Sequence, residues 1–187
     1  MLVLLIGDFH LPHRASNLSS KFRKLLVPNK MQHVLSTGNL CTRETFDYLR
    51  SLSSDVHVVR GEFDDDSLKY PDSKVVTVGQ FRIGLCHGHQ IIPWGDQRNI
   101  ELMARHLDVD VMVTGNSYEI GAQEINGKFY VQPGSATGAF SVVRDSETVP
   151  SFALLDVQSD SVVTYLYRIV DDNVKVDRVI YKKQKTV

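Results

Sequence analysis

The chain has 187 residues, of which 42% are hydrophobic and 23% are charged, and its formal net charge is −1. This length and composition are typical of a globular protein with a sizeable core, and the near-neutral charge excludes a broad nucleic-acid-binding surface. The first apolar run, Leu2–Ile6, is too short for a membrane span or a signal sequence, so we expect any membrane role to depend on a partner.

The first half of the chain alternates short apolar runs with helical patterns. Strands are predicted at Leu2–Ile6, His33–Thr37, Val56–Arg60, Phe81–Cys86 and Val109–Thr114. Helices are predicted at Ser19–Val27, which stops before Pro28, and at Thr42–Leu52. A third helical pattern carries Ile100 and Leu107, with Asp96 as its N-cap. This order predicts an α/β layered fold.

The last third of the chain reads as an antiparallel meander. Strands are predicted at Ser151–Val157, Val162–Val170 and Val174–Tyr181, with turn-rich residues between them. Both faces of the middle strand are substantially apolar. Either this strand is covered on both sides, or the face that carries Tyr165 and Tyr167 contacts a partner.

The sequence also predicts the bounds of the domain and the state of its cysteines. We expect a single domain over residues 1–183 and a frayed tail at 184–187. Two cysteines, Cys41 and Cys86, cannot define a disulfide framework, so we expect both to be reduced thiols of a cytosolic protein.

Polar motifs follow the five apolar runs of the first half. They are Gly7-Asp8-Phe9-His10, Gly38-Asn39, Gly61-Glu62-Phe63-Asp64, His87-Gly88-His89 and Gly115-Asn116-Ser117-Tyr118. Because ligand sites of open α/β sheets gather beyond the carboxyl ends of strands, we expect these motifs to converge in space.

The order and flanks of these motifs resemble the calcineurin-like metallophosphoesterases. That resemblance implies a layered α/β/β/α sandwich, in which two sheets are flanked by helices. Other stretches are similar to the retromer subunits of the same superfamily, and the resemblance spans nearly the whole chain. These stretches are Gly38–Thr42, Lys74–Phe81, His87–Asp96, Pro133–Gly138 and Val162–Tyr165.

Several positions that the resemblance assigns to catalysis have changed. A two-metal phosphoesterase site needs a carboxylate to bridge its two cations, but Asn39 stands at that position. Phe63 replaces the histidine that stabilises the phosphate transition state, and a phenyl ring cannot transfer a proton. Asn116 and Tyr118 replace two imidazole ligands and bind metals poorly.

We therefore expect a non-catalytic protein with a vestigial pocket and no catalytic residue or assured metal site. The pocket positions are Asp8, His10, Asn39, Glu62, His87, Asn116 and Tyr118. Two alternatives stay open: one weakly bound divalent ion, held by Asp8 with His10 or by Glu62 with His87, and a metal-dependent phosphoesterase acting on a small phosphate ester.

The resemblance also implies two partner surfaces. One is the loop at the rim of the pocket, Ile91, Ile92, Pro93 and Trp94, where retromer relatives dock on their large α-solenoid subunit. The other would bind regulatory proteins through Leu2, Leu25, Leu26, Leu154, Tyr165, Tyr167 and Val176. The implied role is a scaffold that supports endosome-to-Golgi retrograde transport of cargo from the cytoplasmic side of endosomes.

Overall fold

The computed structural model describes residues 1–141 and 147–184, so most of the tail predicted at 184–187 lies outside the described residues. The elements over those residues alternate strands with helices and end in a meander. In chain order they are β1 (Leu2–Ile6), α1 (Ser20–Leu25), β2 (His33–Ser36), α2 (Arg43–Leu52), β3 (Val56–Val58), a 3-10 turn (Asp66–Leu68), β4 (Ser73–Val78), β5 (Phe81–Cys86), α3 (Gln97–His106), β6 (Val111–Thr114), β7 (Ile120–Ile125), β8 (Lys128–Pro133), β9 (Ser151–Val157), β10 (Ser161–Val170) and β11 (Asn173–Lys182).

The strands form two mixed sheets. The first has the order β11-β10-β9-β1-β2-β3, and the second has the order β4-β5-β6-β8-β7. Strands β1, β2 and β3 are parallel, whereas β9, β10 and β11 are antiparallel, as predicted for the meander. In the second sheet β5, β6 and β8 are parallel, and β4 and β7 are antiparallel edges.

The core has three layers, which confirms the predicted α/β/β/α sandwich. In β1, Val3 and Leu5 face the second sheet, whereas Leu4 and Ile6 pack under α1 and α2. Helix α3 covers the other face of the second sheet through Ile100 and Ala104. The unbroken apolar run of β1 therefore reflects burial on both faces, which is typical of a parallel strand covered on each side.

The helices begin at side-chain caps and end close to where the patterns predict. The side chain of Thr42 accepts from the backbone of Thr45 at α2, and Asp96 caps α3 as expected. Helix α1 is shorter than predicted, because Leu26 already leaves the helical conformation and packs in the core.

Several strands differ from the predictions. Strand β3 ends at Val58 rather than Arg60, because the backbone N–H of Arg60 donates to Pro71 O and the chain turns away from the sheet. Strand β6 begins at Val111 rather than Val109. Strands β4, β7 and β8 were not predicted. Strands β7 and β8 form a hairpin across Asn126 and Gly127, both at positive φ, which is the residue pair that a two-residue turn prefers.

The two cysteines are unpaired, and burial keeps their thiols protonated. Cys41 and Cys86 are both free, and burial raises the pKa of each to about 12. Over residues 1–141 and 147–184, none of the helices combines the length and the apolar character needed to cross a membrane.

Candidate functional site: a filled metallophosphoesterase pocket

The polar motifs converge as the strand ends predict. Asp8 and His10 follow β1, Asn39 follows β2, and His87 follows β5, and all four side chains are at most 1% exposed. Tyr118 joins them from the loop after β6 and is also buried. Glu62 follows β3, and its side chain is 27% exposed. Asn116 reaches the pocket through its backbone N–H, which donates to Asp8 Oδ2 over 3.2 Å.

The loops that carry these residues have strained backbones. Asp8, His10 and Asn39 have φ of 48°, 47° and 55°, a region that side chains rarely adopt. The strain is held by backbone hydrogen bonds from Asp8 N to Gly38 O (2.9 Å) and from His10 N to Asn39 O (3.0 Å). Gly38, at φ 98°, is required there, because a Cβ would lie 2.5 Å from Val59 O. Such clusters of strain are typical of functional sites.

Asp64 organises the pocket from behind, a role that sequence reasoning missed. Its buried carboxylate accepts backbone N–H bonds from Asn39 (2.7 Å), Cys41 (2.9 Å) and Gly61 (3.0 Å). It thereby ties the loop after β2 to the loop after β3. The signal was present, because Asp64 closes the Gly61–Asp64 motif.

The loop Pro133–Gly138 braces the first motif. The hydroxyl of Ser135 donates to Asp8 O over 2.7 Å, and the hydroxyl of Thr137 donates to Phe9 O over 2.8 Å. These contacts make it a structural loop, packed against the chain after β1.

The amide of Asn39 lies at the centre of the pocket. Its Nδ2 donates to Asp8 Oδ1 over 3.0 Å and lies 3.4 Å from His10 Nε2 and 3.1 Å from His87 Nε2. Its Oδ1 accepts the backbone N–H of Phe63, which fixes the orientation of the amide. A hydrogen-bond donor therefore points at the atoms that would have to bind cations. The residues present do not fit a two-metal centre.

Tyr118 and Arg14 close the side of the pocket next to His10. The Tyr118 hydroxyl lies 2.8 Å from His10 Nε2 and accepts from Arg14 over 3.2 Å. Burial raises the pKa of the Tyr118 phenol, so it remains a neutral hydrogen-bonding group. The guanidinium of Arg14 lies 4.5 Å from the ring centre of Phe63 and 5.0 Å from that of Phe140. The sequence carries no local signal for Arg14 or Phe140.

Glu62, His87 and His89 form the mouth of the pocket. Glu62 Oε2 lies 2.8 Å from His87 Nε2 and 3.8 Å from His89 Nδ1. Burial opposes charge on both members of the Glu62–His87 pair. The hydrogen bond and charge of His87 nevertheless lower the pKa of Glu62 to about 2. The charges of Asp8 and Glu62 raise the pKa of His87.

This arrangement bears on whether Glu62 and His87 could hold one divalent ion. The ligand atoms of Glu62, His87 and His89 all lie within 4.8 Å of one another. However, both nitrogens of His87 already have partners, Thr37 O at 2.7 Å and Glu62. A metal ion at Glu62 and His87 would therefore have to displace a proton from an ion pair.

The rim loop is only partly as predicted. Ile92 and Trp94 are 77% and 49% exposed, and Pro93 is exposed as well. Ile91 is 6% exposed and packs on α3, so the prediction that it belongs to the exposed patch was wrong. A groove of about 400 Å³ runs from Ile92 to Leu102 on α3. The indole of Trp94 donates to His89 O, which anchors the loop at the pocket mouth.

The second predicted surface lies on the helix side of the first sheet. Leu154 is opposite both Leu4 and Tyr165, and Tyr167 is opposite Val176. Leu2 shares that face with Leu4, and α1, which packs on the same face, contributes the exposed Leu25. Tyr165 and Tyr167 are half-buried, and Tyr167 stacks on Phe152. Leu26 is 3% exposed and belongs to the core, so its assignment to this surface was wrong.

Comparisons with known proteins agree with the fold and the motifs. The family described as the calcineurin-like phosphoesterase superfamily domain matches residues 1–160. Vacuolar protein sorting-associated protein 29 (Vps29) of Schizosaccharomyces pombe is 44% identical over 98% of this chain and 99% of that protein.

Two solved structures show the same likeness in three dimensions. Vps29 of Chaetomium thermophilum superposes with a TM-score of 0.93 at 42% identity, over 98% of this chain and 100% of that one. A Zn²⁺ complex of wild-type Vps29 from Entamoeba histolytica gives a TM-score of 0.90 at 46% identity, over 96% and 99% of the two chains. The chain belongs to the Vps29 family of retromer subunits, within the calcineurin-like phosphoesterase superfamily.

Proposed function

We propose that this chain is a non-catalytic scaffold subunit of retromer, which binds the C-terminal part of the α-solenoid subunit through its rim loop. In that role it supports endosome-to-Golgi retrograde transport, and it reaches endosomal membranes only through the complex. Regulatory proteins would bind the second surface around Leu25, Leu154 and Val176.

The observation that carries this proposal is the contrast between the filled pocket and its rim. The polar atoms that would hold cations already have partners, because Asp8 accepts from Asn39, His10 contacts the Tyr118 hydroxyl and His87 pairs with Glu62. Beside them, Ile92 exposes 77% of its surface next to the groove that leads to Leu102. An exposed apolar side chain at the edge of a groove is typical of an anchor at a protein interface.

The docking test is a titration of the C-terminal part of the α-solenoid subunit with the full chain. We expect Ile92→Asp to weaken binding by about 2–4 kcal/mol, roughly 30- to 1000-fold, because an aspartate cannot fill an apolar pocket. The matched control is Ile180→Asp, which places the same charge at a 49% exposed isoleucine of β11. Wild-type affinity in Ile92→Asp, or equal weakening in the control, would contradict the assignment.

The catalytic test is hydrolysis of an aryl phosphate with excess Mn²⁺. We expect no turnover that depends on Asp8, because Asn39 does not bridge two cations and Phe63 cannot act as an acid. The Asp8→Ala variant is the control for contaminating phosphatases. Turnover that follows the wild-type protein through purification and disappears in Asp8→Ala would instead support a metal-dependent phosphoesterase.

A further inference from the structure

A second histidine–carboxylate cluster lies at the other end of the parallel strands from the pocket. His33 opens β2, Asp55 directly precedes β3, and His57 lies within β3. The pocket residues Asn39 and Glu62 follow the carboxyl ends of these two strands. The length of β2, about 10 Å, separates the cluster from the loop that carries Asn39. The cluster is therefore a separate site from the vestigial pocket.

The register of β2 and β3 brings these three side chains together. Val34 is opposite Val56, and Leu35 is opposite His57. Because side chains alternate along a strand, His33 and His57 share the face of Leu35, which points toward the second sheet. The carbonyl of Asp55 accepts the N–H of Val34 over 2.9 Å, which sets the carboxylate beside His33.

The polar atoms of the cluster lie nearly as close to one another as the ligand atoms of a single metal ion. Asp55 Oδ2 is 2.5 Å from His33 Nδ1, and Asp55 Oδ1 is 3.0 Å from His57 Nε2. All three ligand atoms lie within 4.8 Å of one another. Ligands at 2.0–2.2 Å from one tetrahedral zinc ion are separated by about 3.3 Å. Small side-chain rotations would therefore admit an ion between them.

The surroundings leave room for such an ion. The side chain of Asp55 is 44% exposed, whereas those of His33 and His57 are 21% and 17% exposed. The carboxylate thus faces solvent while the imidazoles are sheltered, which leaves a fourth position open to water. Nδ1 of His57 is buried and has no hydrogen-bond partner among the described residues. Among the described residues, the Asp55 carboxylate orients the His57 ring through its contact with His57 Nε2.

We infer that His33, Asp55 and His57 form a binding site for one divalent transition-metal ion. Two imidazole nitrogens and one carboxylate oxygen favour zinc over Mg²⁺ and Ca²⁺, which prefer oxygen ligands. A bound ion would clamp β3, the short edge strand of the first sheet, to β2. It would stabilise the native state by mass action, with a rise in Tm of about 5–10 °C at a zinc concentration 100-fold above Kd.

The test uses the full chain, Zn²⁺ alone and a chromophoric chelator as competitor. We expect wild-type protein to take zinc from the chelator. We expect His33→Gln and His57→Gln each to bind at least about 10-fold more weakly, because even the loss of a residue that only orients a ligand costs about 10-fold or more. His106→Gln, on the exposed face of α3, is the matched control and keeps wild-type affinity. His89→Gln removes one histidine of the cluster formed by Glu62, His87 and His89, and this variant should also bind zinc with wild-type affinity.

A measurement on unsubstituted protein covers the case in which a variant fails to fold. Imidazole resonances of the wild-type chain are followed by NMR during zinc addition, and we expect His33 and His57 to shift together. The inference is overturned if wild-type protein binds no zinc at micromolar concentrations, or if only His87 and His89 shift. Folded His33→Gln and His57→Gln proteins with wild-type zinc affinity would overturn it as well.

Discussion

The filled pocket and the rim loop that follows its His87 are opposite in character. Asp8, Asn39 and His87 are fully buried, and hydrogen bonds inside the protein hold their side chains. A few residues later, Ile92 and Trp94 leave much of their apolar surface in solvent. The sheet topology brings the pocket residues together, because the strands that carry them end at the same edge. Their buried polar atoms must therefore be satisfied from within, whereas the proposed docking function depends on the exposed rim.

This contrast predicts that substitutions in the pocket affect stability, whereas those in the rim affect binding. The largest effect is expected for Asp64→Ala, which leaves the backbone N–H groups of Asn39, Cys41 and Gly61 without their acceptor. At 1–3 kcal/mol for each buried unsatisfied group, and with some relaxation, we expect a loss of about 4 kcal/mol. Urea unfolding measures it.

The matched control for Asp64→Ala is Asp66→Ala, two residues away. The side chain of Asp66 is 86% exposed and pairs with Arg60 at the surface, so its removal should cost less than about 1 kcal/mol. Equal unfolding free energies for the two variants would show that Asp64 does not organise the pocket.

A smaller effect, with a pH signature, is expected for Glu62→Gln. The pKa of His87 is raised above its usual 6.5, so the stabilisation by the Glu62–His87 pair is complete below pH 6.5 and is lost as the pH rises through the raised value. The pKa of Glu62 is lowered from 4.5 to about 2, so the same stabilisation is present above pH 4.5 and is lost toward pH 2.

The destabilisation by Glu62→Gln should therefore be largest between pH 4.5 and 6.5, at about 2 kcal/mol for a hydrogen bond between charged groups, and should shrink as the pH rises through the raised pKa of His87. Chemical unfolding at a series of pH values, within and above that interval, measures the difference. Glu44→Gln, on the exposed side of α2, is the control and should show no such dependence. A pH-independent cost at Glu62 would indicate that His87 is not the charged partner.

A third substitution examines the closed side of the pocket. Arg14→Met keeps a long apolar side chain but removes the hydrogen bond to Tyr118 and the charge between Phe63 and Phe140. We expect a loss of about 1 kcal/mol, since cation–π contacts at half-exposed sites contribute modestly. Thermal melting measures it against Arg98→Met on the exposed surface of α3. A larger loss in the control would argue against this role for Arg14.

The smallest effect on stability is expected at the rim. Ile92→Asp should change the unfolding free energy by less than about 0.5 kcal/mol, because Ile92 contributes little buried surface. Circular dichroism melting of the purified variant measures it. A large loss of stability would mean that Ile92 acts in the fold rather than in docking, and it would remove the contrast between pocket and rim.

The elements that the sequence predicted well are those with strong periodicity. The run of β1, the stripe of α2 and the cap at Asp96 encode their structure within a few residues, and each appears as expected. The β7–β8 hairpin was also encoded locally by Asn126-Gly127, although it was not recognised. Ile91 and Leu26 were misassigned for another reason. Neighbouring apolar residues look alike in the sequence, and the path of the loop decides which of them is buried.

By itself, the sequence determined the layered α/β fold and the convergence of the motifs, because the alternation of strands and helices and the positions of the strand ends are encoded locally. Only the tertiary structure decided that Arg14 closes the pocket and that His33, Asp55 and His57 meet. Those contacts depend on strand register and on loops that join residues far apart in the chain. Burial patterns specify which face a residue occupies, but the side chain that it meets there is set by packing.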